Sequence, residues 1–405
     1  MGKGLVVLPV SLSGWLSNTI GQPEKAFPRE ASGSELWTWL CHTEWKIGQR
    51  WRSAKVWFVS HKKGIKGAAP PFVPFPLHKT MNSVIKALLA YTLLHLLVLA
   101  YQYHFNTSHK PIPSTMAASR SIVKSVLSAE QAEGRGARVR RSIGRPELRN
   151  HDPFLMLDEF NVDENGGFPD HPHRGFETVT YMLEGQFQHE DFAGHKGTIG
   201  PGDLQWMTAG RGIVHSEMPV KSQTRAHGLQ LWINLPKEHK MCEPQYQELL
   251  DKEIPRATPE EGVMIKVIAG ESHGIQSKVY TRTPTMYLDF KMEKNKTVQQ
   301  TLPASYTGFI YMLKGTTYIG DHEFVGKAHH TLTFSEDDTE TVKISTKDEE
   351  AHFVLIAGQP LKEPIVQHGP FVMNTREEIH DTFDDYRRRQ NGFERAKDWK
   401  SSIAA

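Results

Sequence analysis

A short pattern repeated in two halves of the chain constrains the fold most strongly. Tyr-Met-Leu-Glu-Gly at residues 181–185 recurs as Tyr-Met-Leu-Lys-Gly at residues 311–315, and residues 227–236 similarly resemble residues 352–360. Each copy follows β-branched or aromatic residues and ends at a turn residue, as short strands do. Two tandem antiparallel β-barrels of the jelly-roll type would explain both pairs. Convergence on a common strand-and-turn pattern is the alternative.

The segments around the first copy support an all-β fold. The short segments at residues 204–207 and 213–215 each follow a turn that contains glycine, and residues 176–183 are rich in β-branched and aromatic side chains. Short strands separated in this way are typical of antiparallel barrels. Near the C terminus, residues 375–378 match a helix capping box, which predicts a short helical segment up to Trp399 that is interrupted at Asn391-Gly392.

Two alternating triplets, His171-Pro172-His173 and His215-Ser216-Glu217, predict a metal site. On a β-strand, residues i and i+2 point to the same side, so two facing strands would bring three imidazoles and one carboxylate together. This ligand set suits iron, manganese, zinc, nickel or copper. With 21 histidines among 405 residues, a chance His-x-His in a surface strand is the alternative for the first triplet.

The second copy is predicted to lack this chemistry. Residues 305–308 are Ser-Tyr-Thr-Gly where the first copy is expected to have its His-x-His segment and flank. His329 and His330 are adjacent, so on a strand their side chains would point to opposite faces. Only the first barrel is therefore expected to bind a metal.

Net charge distinguishes the first 115 residues from the rest of the chain. They carry 13 Lys and Arg against 4 Asp and Glu, a net +9, which leaves 35 against 42, a net −7, for residues 116–405. They include a proline-rich linker at 68–76 and an apolar run at 87–101, which is shorter than the roughly 20 residues needed to span a bilayer. Our leading interpretation is a start codon placed too early; a disordered extension, a signal-peptide segment and a marginal anchor are the alternatives.

The predicted organisation is therefore an extension (residues 1–115), a first barrel with the metal site (116–245), and a second barrel without one, followed by C-terminal helices (246–405). Cys41 and Cys242 are the two cysteines. They provide neither a disulfide framework nor a cysteine-based zinc site, which favours a reducing compartment.

A basic run precedes the first metal triplet. Five arginines occur within eleven residues: Arg135, Arg138, Arg140, Arg141 and Arg145. If the run forms a strand, alternate arginines share a face and present a basic stripe to an anionic partner, although such runs are commonly solvated surface.

Four long segments, at residues 152–160, 168–178, 202–217 and 363–375, resemble the pirin family of the cupin superfamily, and the resemblance extends from about Met116 to the C terminus. It implies a bicupin fold with one iron ion, ferrous or ferric, bound in the first barrel by His171, His173, His215 and Glu217. Commoner cupins take their carboxylate ligand from the position of Glu177. Here Glu177 is expected to orient an imidazole N–H instead.

The resemblance implies two functions that share one iron, and a flavonol dioxygenase without a regulatory role is the alternative. One is a quercetin 2,3-dioxygenase, in which the iron binds a flavonol and dioxygen and Glu217 accepts the flavonol proton. The other is a redox-sensitive coregulator that contacts an NF-κB-type transcription factor through the arginine run, in the nucleus and cytoplasm. Direct nucleic-acid binding is not expected, because the part after residue 115 is net acidic and shows no nucleic-acid-binding motif. A monomer without membrane binding is also expected.

Overall fold

The computed structural model of the protein describes residues 118–133, 136–221 and 225–404. The predictions made for residues 1–115 and for Arg135 lie outside these residues. Within the described ranges, no helix is both long and apolar enough to cross a membrane.

The strands of the first barrel are nearly consecutive in the chain. They are β2 (Glu130–Ala132), β3 (Ala137–Ile143), β4 (Phe154–Val162), β5 (Phe168–His173), β6 (Phe176–Glu184), β7 (Phe187–Asp191), β8 (Lys196–Ile199), β9 (Leu204–Thr208), β10 (Ile213–Pro219), β11 (Ala226–Asn234) and β12 (Gln245–Leu249). Seven of them form a large sheet in the order β12-β9-β6-β11-β4-β3-β2, and a smaller sheet has the order β5-β10-β7-β8. Apolar residues from both sheets, such as Phe160 and Phe187, pack together between them.

The second barrel combines a run of later strands with one strand from the start of the described chain. They are β1 (Ile122–Leu127), β13 (Arg256–Glu260), β14 (Val263–Ala269), β17 (Thr285–Met292), β18 (Thr297–Thr301), β19 (Thr307–Lys314), β20 (Thr316–Ile319), β21 (Phe324–Lys327), β22 (His330–Phe334), β23 (Thr341–Ser345) and β24 (Ala351–Gly358). The large sheet has the order β1-β22-β19-β24-β17-β14-β13 and the small one β18-β23-β20-β21. This order matches the first barrel position by position, so the predicted all-β duplication is confirmed.

The edge strands of the large sheets cross the predicted domain boundary. β1 belongs to residues 116–245, yet it pairs with β22 of the second barrel. β12 begins at the predicted boundary and pairs with β9 of the first barrel. β1 and β12 fill equivalent edge positions, so a simple division of the chain at residue 245 does not describe the barrels.

The two large sheets pack face to face. Val179 and Leu231 from the first barrel share one buried cluster with Tyr287 and Ile356 from the second. Because side chains alternate along a strand, each strand of a large sheet presents one set of residues to this interface and the other set to its own barrel interior.

The C-terminal segment returns to the first barrel. It comprises a two-stranded hairpin of β25 (Val366–His368) and β26 (Phe371–Met373), followed by helix α1 (Arg376–Arg388). Thr375 caps α1 through the predicted box with Glu378, which confirms the predicted short C-terminal helix. Where a second helix was expected, the chain forms a 3-10 turn at Glu394–Lys397.

Two further 3-10 turns, Lys237–His239 and Asp251–Glu253, and a short hairpin of β15 (Glu271–Ser272) and β16 (Ile275–Gln276) complete the described elements. The C-terminal segment packs on the first barrel, because Phe371 and Ile379 share a buried cluster with Met207 and Ile213. The C-terminal segment therefore lies beside the barrel that contains His171, His173 and His215.

Candidate metal centre

Strands β5 and β10 bring the three histidines together. His171 lies directly opposite His215 in this antiparallel pair, and His173 lies opposite Ile213. The ring centroids are 4.3 Å apart for His171 and His215, 4.7 Å for His171 and His173, and 5.0 Å for His173 and His215. One nitrogen from each ring lies within 4.8 Å of the others. The predicted same-face convergence of the imidazoles is therefore present.

The protonation state of these rings suits metal coordination. His173 and His215 are only 2% and 1% exposed. Burial, followed by the charge of the neighbouring imidazoles, holds their pKa values well below 6.5, so both rings are neutral at physiological pH. The neutral form is the one that binds metal.

Hydrogen bonding leaves ring nitrogens available. Nδ1 of His171 donates to the carbonyl oxygen of Pro169 at 2.8 Å, which leaves Nε2 as its ligand atom. Among the described residues, Nδ1 of His173 and both ring nitrogens of His215 have no hydrogen-bond partner. Buried polar atoms without partners are costly, and a bound cation would satisfy one nitrogen of each ring.

Glu217 lies two residues beyond His215 on the same strand and is also buried. Its Oε1 accepts a hydrogen bond from Thr180 Oγ1 at 3.0 Å, and its Oε2 accepts one from Gln230 Nε2 at 2.9 Å. Gln230 is oriented in turn by Trp232, whose Nε1 donates to its Oε1 at 3.4 Å. The carboxylate is not part of the close histidine group, but each oxygen keeps lone-pair capacity for a cation. Its role as a ligand and as a base stays a prediction.

Glu177 differs from its expected position. Phe176 contacts the ring of His173, so the next residue on β6 points to the opposite face, toward the interface between the barrels. There Glu177 Oε1 accepts a hydrogen bond from Thr208 Oγ1 at 2.7 Å rather than one from an imidazole. Burial raises the pKa of Glu177 to about 7. The strand alternation that predicted the histidine cluster therefore removes Glu177 from it.

A cavity of about 850 Å³ opens beside the histidines. His171, His173 and Gln230 line its polar side, and Trp232 and Phe168 provide aromatic surface. The C-terminal segment supplies a further wall, made of Ile365, Gln367, Gly369 and Pro370. The cavity therefore gives a planar organic molecule space next to the imidazoles.

The second barrel has an apolar core at the equivalent place. By sheet order, β18 and β23 correspond to β5 and β10. They contribute Val298, Val342 and Ile344 to the barrel interior. The counterpart of the His-x-His strand is therefore Thr297–Thr301, a few residues before the predicted Ser305. Within the part of the chain that the structure describes, His171, His173 and His215 form the only candidate metal group.

Arg138, Arg140 and Arg141 of the arginine run lie on β3, as predicted, but carboxylates offset their charge. Arg138 and Arg140 both pair with Glu130 of the neighbouring strand. On the other face, Arg141 pairs with Asp158 at 2.7 Å and with Glu133 at 3.3 Å. Arg145 pairs with Glu147 at 2.7 Å. The expected continuous basic stripe is therefore broken into ion pairs.

Sequence reasoning did not identify the residues that hold Glu217. Thr180 follows Phe176 by four positions on β6, and Gln230 precedes Trp232 by two on β11. Strand period alone places each pair on one face, but which face points into the barrel depends on pairing across the sheet.

Fold and site define a two-domain cupin with a candidate metal centre in its first barrel. Models of the families described as Pirin and as Pirin C-terminal cupin domain match residues 136–233 and 287–392. The chain is 59% identical to human Pirin over 292 residues, which cover 71% of this chain and 99% of the human protein. It is 55% identical over 289 residues to a pirin-like protein of Solanum lycopersicum, covering 71% and 98% of the two chains.

Solved structures show the same fold. A quercetin 2,3-dioxygenase from Acinetobacter baumannii is 31% identical, with a TM-score of 0.62, and the match covers 67% of this chain and 98% of that one. The chain belongs to the pirin family.

Proposed function

We propose that the protein is an iron-dependent oxygenase that acts on flavonol-type compounds with dioxygen. One observation carries the proposal: three histidines converge beside a cavity with aromatic walls that is large enough for a planar polyphenol. The similarity to a bacterial protein named quercetin 2,3-dioxygenase supports the substrate class.

His171, His173, His215 and Glu217 would hold the iron, because their donor types suit a first-row transition metal and the buried imidazoles lack other partners. When bound, the metal would act as a Lewis acid toward a flavonol oxygen. Which first-row ion occupies the site in the cell is part of the proposal.

The protein's own groups would bind and deprotonate the substrate. Trp232 and Phe168 line the cavity where an aromatic ring can pack. Glu217 would accept the flavonol hydroxyl proton, and the hydrogen bonds from Thr180 and Gln230 keep its carboxylate in place for that transfer. The C-terminal wall would limit access of water.

Oxygen consumption with purified, iron-loaded protein tests this function. We expect oxygen uptake with a flavonol, and loss of both iron binding and uptake in His171→Ala. His330→Ala is the matched control, because His330 is also partly buried but lies in the second barrel, where its Nδ1 bonds the Ala328 carbonyl. Full iron occupancy without oxygen uptake across a flavonol panel would contradict the proposal.

A second candidate function is redox-sensitive coregulation of an NF-κB-type transcription factor in the nucleus and cytoplasm. Family membership supports it, together with the exposure of Arg138 and Arg140 on one face of β3, near the edge of the sheet. The double variant Arg138→Glu, Arg140→Glu should weaken binding to the factor and leave oxygen uptake unchanged. Arg387→Glu, on the exposed surface of α1, is the control. Unchanged binding by the double variant would contradict a role of the basic surface in the contact with the factor.

A further inference from the structure

Arg174, the residue after His173, is buried beneath the metal centre. It is only 1% exposed, and its guanidinium contacts three separate parts of the chain. Nε donates to the carbonyl oxygen of Arg211 at 2.7 Å, and Nη2 donates to the carbonyl oxygen of Asn391 at 2.6 Å. Nη1 donates to Asp385 at 2.9 Å. The ring of Phe393 covers the guanidinium at 4.7 Å.

These contacts connect both histidine strands to the C-terminal helix. Arg174 follows directly from β5, which contains His171 and His173. Arg211 lies in the loop that leads into β10, which contains His215. Asp385 lies in α1. A single side chain therefore links the ends of the two ligand strands and joins them to an element from the other end of the sequence.

The backbone of Arg174 and Gly175 also lies close to the C-terminal hairpin. The amide of Val372 donates to the Arg174 carbonyl oxygen at 3.0 Å. Gly175 has a φ of +89°, and a Cβ atom there would lie 2.0 Å from the Val372 carbonyl oxygen, so only glycine fits. The buried Lys240 Nζ donates to the carbonyl oxygens of Gly175 and Val372 at 2.9 and 3.2 Å. The C-terminal hairpin is thus fastened directly beside the His173 turn.

We infer that Arg174 is a positioning residue through which helix α1 sets the geometry of the metal ligands. The inference rests on the proposed metal centre. Arg174 contacts none of the ligand atoms and acts through the backbone on which His173 and His215 are mounted. Outer contacts of this kind orient the ligands of a metal, and their loss weakens metal binding. The alternative is that Arg174 only fastens the C-terminal segment to the barrel.

Asp385→Asn tests the inference, because it removes the charge that holds the guanidinium while keeping the side-chain shape. Asp384→Asn is the matched control, since among the described residues the neighbouring Asp384 pairs only with Arg387 and Arg388 on the helix surface. The affinity for ferrous iron is measured by chelator competition. Cobalt(II), whose visible absorption reports ligand geometry, is bound in parallel.

We expect Asp385→Asn to lower the affinity for iron on the order of 10-fold and to change the cobalt absorption, while Asp384→Asn leaves both unchanged. A purely fastening role would lower the thermal stability of the metal-free protein without changing either measurement at a temperature where it is fully folded. That result would overturn the inference.

A milder variant covers the case in which Asp385→Asn does not fold. Asn391→Gly keeps the positive φ of 51° at this position and removes only the hydrogen bond from Asn391 Nδ2 to Asp385. We expect a smaller change in the same direction, and an unchanged cobalt spectrum would count against the inference. The experiment measures metal binding. Failure of the proposed flavonol oxygenase activity alone would therefore not change its outcome. A wild-type protein that bound neither ion would overturn both.

Discussion

The hydroxyl of Tyr181 in the first barrel donates a 2.6 Å hydrogen bond to Asp289 in the second. The equivalent Tyr311 of the second barrel donates a 2.6 Å hydrogen bond to Glu159 in the first. The interface between the barrels therefore contains the same tyrosine–carboxylate pair twice, once in each direction. Duplication of the barrel explains the pairing, because each tyrosine belongs to the repeated Tyr-Met-Leu pattern.

Replacing Tyr181 with Phe should destabilise the protein. The change leaves the fully buried Asp289 with one donor fewer, and a hydrogen bond to a charged group contributes about 1.5–3 kcal/mol. We expect the free energy of unfolding in urea to fall by that amount. Tyr318→Phe is the control, because no hydrogen bond of the Tyr318 hydroxyl is found among the described residues. Equal stability of the two variants would contradict the prediction.

The free energy of unfolding should fall in acid, because the same carboxylates, Asp289 and Glu159, become protonated. Burial alone would raise the pKa of Asp289 and Glu159, but hydrogen bonds from His352 and Tyr181 to the first, and from His227 and Tyr311 to the second, outweigh it and lower both values below 3.8 and 4.5. A lowered pKa stabilises the fold above the unfolded value, and this stability is lost as pH falls through the folded value.

Urea unfolding between about pH 6 and about pH 3 measures this effect. We expect the free energy of unfolding to decline below about pH 4.5. The decline should be shallower in Asp289→Asn, which has no carboxylate to protonate at that position. A variant with the same slope as the wild type would show that other groups cause the acid sensitivity.

Thr180→Val should weaken metal binding without changing the side-chain volume in the barrel interior. The substitution is close to isosteric and removes the hydrogen bond that holds Oε1 of Glu217. We expect a loss of affinity for iron on the order of 10-fold, since hydrogen bonds from neighbouring side chains fix the orientation of a metal-binding residue. Thr178→Val, on the same strand and face, is the control. If both variants kept the wild-type affinity, Glu217 would not be a ligand that Thr180 orients.

The protein should bind one metal ion per chain. The second barrel has Val298, Val342 and Ile344 where the first has its ligand strands, and apolar side chains offer no ligand atoms. Elemental analysis should therefore give a stoichiometry near one, which falls to near zero in His171→Ala. Two ions per chain would contradict the assignment of a single centre.

Much of the site follows from alternation along strands. His171 and His173 share a face by their spacing, and so do His215 and Glu217, and the structure brings the three imidazoles together. The expectation for Glu177 came from the resemblance to cupins and not from alternation, and the structure differs from it because Phe176, the preceding residue of β6, is the one that faces His173. Spacing defines relative orientation within one strand, and only the pairing between strands defines which side is the interior.

The duplicated all-β architecture and the common face of His171 and His173 follow from the sequence, because these features depend on local strand period and residue chemistry. Three other features come from tertiary contacts: β1 completes the second barrel, carboxylates pair with the described arginines of the run, and Asp385 holds Arg174 next to His173. Those contacts join residues as far apart in the chain as Ile122 and Phe334. No local pattern encodes them, since they arise from the packing of completed sheets and the return of the C-terminal segment.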